Sequence, residues 1–337
     1  MIEDFGIGRY QGTATIHQRI DAEGRYLSPG FIDLHVHGGG GADFRDCSVE
    51  ASLTALRTHV AGGTTTIFPT LSSVGLDTTL DSIACYNVLY AQADRYTDIP
   101  NLAGIHLEGP YFSYEQRGAQ DPAFLRNPDP AEYMRILDSS EHIRRWSLAC
   151  ELPGALELAR ELHKRNICVS VGYSNATTAQ VFDAFANGFS CVTHLYSGCL
   201  VVHRNGPFRE GGVVEAAFPL DELDVEAIGD GIHLPPEFLK LIFKVKGIDR
   251  VALITDCIRA GGMKHEEQDE VYDYKEKNRQ IFIESGVAIM PDRKNFAGSI
   301  ATTSQVVHTA WKKRNYHWRM RFTSSFSSRS LMISFSM

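Results

Sequence analysis

Residues 31–37 read FIDLHVH, an apolar run that ends in two histidines. A short run of this kind directly after a Pro-Gly pair predicts a buried β-strand. Successive side chains of a strand point to opposite faces, so His35 and His37 lie on the same side of it. If that side faces the interior of a barrel, both imidazoles converge on one point at the end of the strand.

Seven further runs rich in Val and Ile follow, with amphipathic stretches between most of them. The eight predicted strands span residues 31–37, 64–69, 103–108, 145–149, 167–171, 190–194, 224–229 and 250–255. Helices are predicted over residues 49–61, 76–95, 155–165, 178–187 and 235–246. This alternation predicts the α/β class with a parallel sheet, and crossovers of this length fit a closed (β/α)8 barrel of the TIM type better than an open sheet.

The segments that flank this repeat have a different pattern. Alternating stretches such as residues 12–20 predict a few strands before the barrel. A hairpin is predicted over residues 280–290, because Ser285-Gly286 suits a tight turn between two apolar runs. A last helix is predicted to start near Ser299.

The C-terminal tail departs from the rest in composition. From residue 308 onward there is no acidic residue, while six residues are Lys or Arg and seven are Ser. No helical or strand period is present, which indicates a disordered or non-native segment. The predicted division is therefore residues 1–28 before the barrel, residues 29–310 as the barrel, and residues 311–337 as the atypical tail.

Composition restricts the class of protein. The 337 residues carry a net charge of −8, which argues against a general affinity for nucleic acid or an anionic membrane. An anionic substrate would need a local cluster of positive groups. The seven cysteines stand singly along the chain, a pattern typical of reduced thiols. With no signal peptide and no membrane-spanning run in the sequence, we expect a cytoplasmic enzyme.

Polar residues lie where the predicted strands end, and catalytic groups of (β/α)8 barrels lie at that edge. Glu108 ends the third strand, His194 ends the sixth, Asp256 follows the eighth, and Asp230 and His233 follow the seventh. Each alone is compatible with a hydrogen-bonded core side chain or a cap. Their joint placement with the two histidines of the first strand favours a nitrogen/oxygen site for Zn²⁺ or a similar divalent ion.

Several blocks of sequence are similar to a known family. Residues 28–38, SPGFIDLHVHG, resemble the opening signature of the amidohydrolase superfamily. Within it the chain resembles N-acetylglucosamine-6-phosphate deacetylases, through GTTT (63–66), HLEGPY (106–111), SNAT (174–177), THLY (193–196), DGIH (230–233), LITD (253–256) and FAGS (296–299). The resemblance runs from about residue 27 to about residue 308.

The resemblance implies roles for the polar residues. Glu108 and His194 match metal ligands, and His35 and His37 match a pair that binds metal in two-metal members. Asp256 matches the catalytic acid/base. The implied cofactor is one or two divalent ions, with zinc expected and iron, cobalt or manganese as alternatives.

The resemblance also implies contacts to a substrate. His233 matches a histidine near the substrate amide, and Arg204 lies near the position of an arginine for the sugar phosphate, which often reaches across a dimer interface. Ser197 and Gly198 stand where the family prefers Asn-Ala, which indicates altered substrate contacts.

One departure concerns the metal. Tyr173 stands where the family usually has a metal-binding histidine. A phenol with an ordinary pKa of about 10 is a poor substitute for imidazole. The expected ligand set therefore moves to His35, His37 and Glu108, with His194 as a further candidate.

The implied function is metal-dependent hydrolysis of the acetamide of N-acetylglucosamine 6-phosphate to glucosamine 6-phosphate and acetate. The expected partner is this phosphorylated amino sugar, and the expected assembly is a homodimer. The family also has a small β-sandwich beside its barrel, of which residues 1–28 would be a remnant. Two alternatives stay open: another amidohydrolase for a related N-acyl or cyclic amide, and an inactive truncated product.

Overall fold

The structure is a computed structural model that describes residues 12, 15–24, 28–264, 270–274, 279–312, 319–323 and 332–336. Eight parallel strands of this described part lie side by side in chain order. They are β1 Phe31–Val36, β2 Thr64–Ser72, β3 Ile105–Glu108, β4 Ile143–Leu148, β5 Cys168–Val171, β6 Phe189–Val192, β7 Asp224–Ile228 and β8 Val251–Ile254. Each differs from its predicted bounds by at most three residues, and the predicted (β/α)8 barrel is confirmed.

The first and last strands meet at their carboxyl ends. The backbone N–H of His37 donates to the carbonyl of Cys257 at 2.8 Å, and that of Asp256 donates to the carbonyl of His35 at 3.0 Å. Val36 and Cys257 also form a parallel bridge. These bonds close the barrel at the edge where its polar residues were predicted to gather.

Eight α-helices of the described part surround the strands. They are α1 Val49–Ala61, α2 Leu76–Gln92, α3 Pro130–Asp138, α4 Ala155–Lys164, α5 Thr178–Ala186, α6 Val213–Ala217, α7 Pro236–Lys246 and α8 Thr303–Lys312. Short 3-10 helices cover Phe44–Asp46, Ala93–Arg95, Pro122–Phe124 and Ile248–Arg250, and short strands cover Gly38–Gly39, Ala42–Asp43, Asn101–Leu102, His203–Asn205 and Phe208–Glu210.

The helix sequences explain where the helices begin and what they bury. Ser48 caps α1 by accepting from the N–H of Ala51, and Thr177 forms a capping box with Gln180 at the start of α5. In α4, Leu158 and Leu162 are four residues apart and so lie on one face of the helix, and both are fully buried. Burial of one such leucine contributes roughly 1.5–3 kcal/mol relative to leaving it exposed.

A four-stranded antiparallel sheet stands beside the mouth of the barrel. Its strands are β9 Glu270–Tyr274, β10 Arg279–Glu284, β11 Val287–Ile289 and β12 Phe296–Ser299. The predicted hairpin is confirmed: β10 pairs with β11, and Ser285 and Gly286 have φ angles of 52° and 82°, as a tight primed turn requires. Ser299 ends β12 and bonds to the backbone after β8, which fixes this sheet to the site edge.

The last helix was predicted to start too early. Ser299 belongs to β12, and α8 begins at Thr303. The backbone of Ser299 is already hydrogen-bonded to Asp256 and Ile258 as a strand, so the chain cannot turn into a helix there.

The two segments outside the barrel, residues 1–28 and 311–337, were predicted to be sandwich strands and an atypical tail. The strand prediction over residues 12–20 is wrong for the part of it that the structure describes, residues 12 and 15–20, which are not in a strand. The other residues before 28, apart from residues 21–24, lie outside the described residues, so the predicted sandwich remnant stays a prediction. In the tail, β13 Arg319–Thr323 pairs with β14 Met332–Ser336, which corrects the expectation of no strand structure for those ten residues. None of the described helices combines the length and the apolar character needed to cross a bilayer.

Candidate active site

Five predicted residues meet at the carboxyl edge of the barrel. Nε2 of His35 and Nε2 of His194 each lie 3.1 Å from Oε1 of Glu108. Nε2 of His37 lies 3.1 Å from Oδ1 of Asp256. All five side chains are buried. Residues from the ends of β1, β3, β6 and β8 therefore form one cluster.

Three members of the cluster could hold a metal ion. One ligand atom each from His35, His37 and Glu108 lie within 4.8 Å of one another. The two Nε2 atoms are 3.2 Å apart, so one ion could bind both. Nitrogen and carboxylate oxygen donors of this kind suit zinc and its neighbours among the transition metals.

The cluster controls the protonation of its carboxylates. Burial alone would raise the pKa of Glu108, yet His35 and His37 outweigh it and hold that pKa well below its usual value. Burial likewise opposes ionisation of Asp256, but the same two histidines hold its pKa below the ordinary value. Asp256 is consequently a carboxylate at neutral pH, which is the form that can accept a proton.

His35 is supported from below by a buried pair that sequence reasoning missed. Its Nδ1 lies 3.2 Å from Oε2 of Glu226 on β7, and the other oxygen of Glu226 is bonded by Arg145 on β4. Burial opposes the charge of Glu226, but Arg145 and then His35 lower its pKa to about 2. The signal was present in the sequence, because both residues are charged positions inside predicted buried strands.

Tyr173 lies beside Glu108 and His194. It follows β5 with a φ of 46°, and its ring meets the ring of His194 edge-on at 4.8 Å between centroids. Burial, and then the charge of Glu108, raise the pKa of Tyr173 well above its usual range. The phenol therefore stays protonated and serves as a hydrogen-bond donor.

Two further contacts orient the ligand candidates. Gln120, which was not predicted from the sequence, donates from Nε2 to Oε2 of Glu108 at 2.8 Å. Nδ1 of His194 lies 2.9 Å from the carbonyl oxygen of Ser197, which turns Nε2 toward Glu108. Glu108 is thus held by neighbours on both of its oxygens.

A cavity of about 620 Å³ opens above the cluster. Its walls include the following predicted site residues: His37, Glu108, His194, Ser197, Gly198, His233 and Asp256. Nδ1 of His233 lies 2.6 Å from Oδ2 of Asp230, which fixes the ring, and His35 lies directly beneath the cavity. The structure thus brings eight of the predicted residues to one place.

Arg204 is the predicted residue that does not join them. It lies on the exposed hairpin of His203–Asn205 and Phe208–Glu210 and is absent from the described residues that line the cavity. The structure therefore does not bring Arg204 to the cavity of its own chain.

Comparison with known families agrees with this geometry. The model of the family described as "Amidohydrolase family" matches residues 26–288. The chain belongs to the amidohydrolase family. For an amidohydrolase, a family of metal-dependent enzymes, the His35, His37 and Glu108 cluster is the expected place for the metal.

The relatives of this amidohydrolase are sugar-phosphate deacetylases. It is 31% identical to the N-acetylglucosamine-6-phosphate deacetylase of Lysinibacillus sphaericus, over 86% of this chain and 71% of that one. It is 34% identical to the N-acetylgalactosamine-6-phosphate deacetylase of Escherichia coli O157:H7, over 72% and 62%. The N-acetyl-D-glucosamine-6-phosphate deacetylase of Mycobacterium smegmatis, solved as a mutant with N-acetyl-D-glucosamine-6-phosphate, superposes with a TM-score of 0.75 at 32% identity, over 84% and 70%.

Proposed function

We propose that this amidohydrolase hydrolyses the acetamide of N-acetylglucosamine 6-phosphate, giving glucosamine 6-phosphate and acetate. The observation that carries the proposal is that His35, His37, Glu108 and the ionised Asp256 lie together at the floor of one cavity. The likeness to a deacetylase solved with this sugar phosphate supports the choice of substrate.

His35, His37 and Glu108 would hold one divalent ion, with His194 beside Glu108. We infer a single ion because Tyr173, a poor ligand when protonated, occupies the space next to Glu108 and His194. Zinc fits these donors best, and iron, cobalt and manganese are the alternatives. When bound, the ion supplies Lewis acidity toward the acetamide carbonyl and the attacking water.

The remaining chemistry belongs to residues of the chain. Asp256 accepts the proton of the attacking water and later delivers it to the departing amine. His233, fixed by Asp230 at 2.6 Å, faces the acetamide and stabilises the developing oxyanion. Ser197 and Gly198 form the wall beside His194 and contact the sugar.

The remaining parts of the proposal concern assembly and location. Arg204 is exposed and would contact a substrate phosphate only in a second copy, as in a homodimer. A cytoplasmic location stays a prediction from the sequence.

A substrate panel tests the proposal. Purified protein supplied with Zn²⁺ is given four compounds: N-acetylglucosamine 6-phosphate, its galacto epimer, unphosphorylated N-acetylglucosamine and a cyclic amide. We expect the fastest acetate release from N-acetylglucosamine 6-phosphate and a strong preference for the phosphorylated sugars. The galacto epimer is included because a relative that acts on it is 34% identical. Preference for the cyclic amide would overturn the proposal in favour of another amidohydrolase activity.

A further inference from the structure

A row of polar side chains lies inside the barrel, and the proposed chemistry does not use it. His106 on β3 stands two residues before Glu108, so the alternation of a strand places both side chains on the same face. His106 is fully buried and is absent from the described residues that line the cavity. Four fully buried hydroxyl residues accompany it: Thr70, Ser147, Ser170 and Thr193. We call His106 and these four residues the hydroxyl belt.

Short hydrogen bonds join the hydroxyl belt from strand to strand. Oγ of Ser170 on β5 lies 2.6 Å from Oγ1 of Thr193, directly after β6. Oγ1 of Thr193 lies 2.6 Å from Oγ of Ser147 on β4. Oγ of Ser147 lies 2.7 Å from Nε2 of His106, and Nδ1 of His106 lies 3.3 Å from Oγ1 of Thr70 on β2. The imidazole is therefore held at both of its nitrogens by residues of its two neighbouring strands.

The direction of these bonds fixes the tautomer of His106. A hydroxyl has one hydrogen to donate, and Thr70 donates its hydrogen to the carbonyl of Phe68 at 3.1 Å, so it accepts from Nδ1 of His106. At the other end, the Ser170 hydroxyl has Thr193 as its hydrogen-bond partner among the described residues. The reverse direction would leave the hydrogen of Ser170 buried without an acceptor. The belt therefore donates toward Nε2, and His106 is the neutral tautomer with its proton on Nδ1.

The ring of His106 meets the ring of His35. Their centroids are 4.7 Å apart and their planes are inclined by 85°, an edge-on contact. Nδ1 of His35 is fixed by Glu226 at 3.2 Å, but one hydrogen bond leaves the imidazole free to tilt about that contact. The His106 ring limits this tilt. The two contacts together keep Nε2 of His35 at 3.1 Å from Glu108, where the metal would bind.

We propose that His106 is a positioning residue of the metal site: the hydroxyl belt holds its ring, and its ring holds His35 with Nε2 directed toward the metal. This inference rests on the proposed metal site of His35, His37 and Glu108, but it does not depend on which substrate is hydrolysed. His106 contacts neither the metal nor the sugar, so it acts on the reaction only through His35. Removal of a residue that orients a metal-binding histidine typically weakens metal binding by about 10–100-fold.

The first test removes the ring. His106→Asn keeps an amide near the position of Nδ1 but no longer contacts His35. We expect its zinc affinity, measured by competition with a chelator, to be weaker than that of wild type by about tenfold or more. For the acetate-releasing reaction, kcat should fall while KM for the sugar phosphate changes little, because the sugar does not contact His106.

A milder variant tests the belt itself. Ser147→Ala removes the hydroxyl that donates to Nε2 of His106 and should weaken zinc binding less than His106→Asn does. Its matched control is Ser52→Ala, which removes an equally buried hydroxyl from α1, outside the barrel interior. The control should keep the zinc affinity of wild type. An equal zinc affinity for Ser147→Ala and wild type would contradict a role of the belt.

Nitrogen-15 NMR of histidine-labelled protein observes the tautomer directly. In wild type, we expect the His106 signals of a neutral ring protonated at Nδ1. In Ser147→Ala, we expect a mixture of the two neutral tautomers, because Nε2 no longer accepts a hydrogen bond. A wild-type ring that is protonated at Nε2 would overturn the inference.

Denaturant unfolding of the metal-free proteins separates positioning from core packing. A His106→Asn protein that is less stable but keeps the zinc affinity of wild type would show that His106 only fills the core, which overturns the inference. If His106→Asn does not fold, Ser147→Ala and its control decide. Wild type that binds zinc with these dependences but releases no acetate would contradict the proposed deacetylation and leave this inference standing. Wild type that binds no zinc would overturn both.

Discussion

Asp256 carries the most direct prediction about a single side chain. Its carboxylate lies 3.1 Å from His37 and 3.4 Å from His35, in the ionised form that a general base needs. Asp256→Asn should lower acetate release by about 10²–10⁴-fold, because the amide cannot accept the proton of water. Metal stoichiometry should be unchanged, since His35, His37 and Glu108 remain. Turnover within tenfold of wild type would remove Asp256 from this role.

Tyr173 gives a prediction about the metal. If the phenol is not a ligand, Tyr173→Phe should keep the metal content of wild type. Tyr173→His places an imidazole beside Glu108 and His194 and should tighten zinc binding at least about tenfold, or add a second ion. Elemental analysis and chelator competition measure both. Loss of metal from Tyr173→Phe would contradict the assignment.

Roles of single residues were only partly predictable from sequence. The positions of His35, His37 and Glu108 at or near strand ends follow from the strand pattern, as do those of Asp256 and His233 directly after strands. The family resemblance added the roles of Asp256 and His233. Gln120 was missed because it lies in a loop far from any strand end. Its contact with Glu108 depends on how that loop folds back, which no local pattern predicts. Glu226 was missed because it lies in the middle of an apolar run, and that run was interpreted only as a buried strand.

The pair of Glu226 and Arg145 connects separate elements of the barrel. Glu226 on β7 bonds to Arg145 on β4 and to His35 on β1, so three strands meet through one carboxylate. Both side chains of the pair are almost fully buried. Removing one partner leaves a buried charge without compensation, which typically costs about 3–5 kcal/mol.

This pair predicts a pH dependence of stability. The pKa of Glu226 is about 2 in the folded chain and roughly 4.3 when unfolded. Its contribution is therefore complete above about pH 5 and is lost as the pH falls toward 2. Glu226→Gln should lower the free energy of unfolding by about 3 kcal/mol at pH 7, and the difference from wild type should shrink in acid.

Denaturant unfolding of the metal-free proteins between pH 7 and pH 3 measures this effect. The double variant Arg145→Met/Glu226→Gln is the control, because it removes both charges and should recover part of the loss. A difference between wild type and Glu226→Gln that stays constant with pH would show that the carboxylate does not act through its ionisation.

Element boundaries show what sequence patterns could not supply. The β10–β11 hairpin was predictable, because Ser285-Gly286 separates two apolar runs. Helix α3 was missed, although Asp129 caps it and Pro130 suits its first position. The start of α8 was misplaced, because Ser299 is fixed by long-range bonds to the strand end at Asp256, which no local pattern records.

For the molecule as a whole, the class and closure of the barrel were predicted and confirmed. Eight apolar runs with long crossovers are a strong pattern, and a parallel sheet of this size must bury both faces. The structure of the segments before residue 28 and after residue 311 was harder to predict, because no repeated pattern indicates which strands they would pair with. The domain boundaries there stay predictions.

The central claim is that the cavity of this chain is a metal-dependent deacetylase site. The most direct test is acetate release from N-acetylglucosamine 6-phosphate by purified protein, first stripped with a chelator and then resupplied with Zn²⁺. The structure predicts little release from the stripped protein and recovery on adding zinc. Folded, metal-loaded protein that releases no acetate would contradict the claim and favour another substrate or an inactive product.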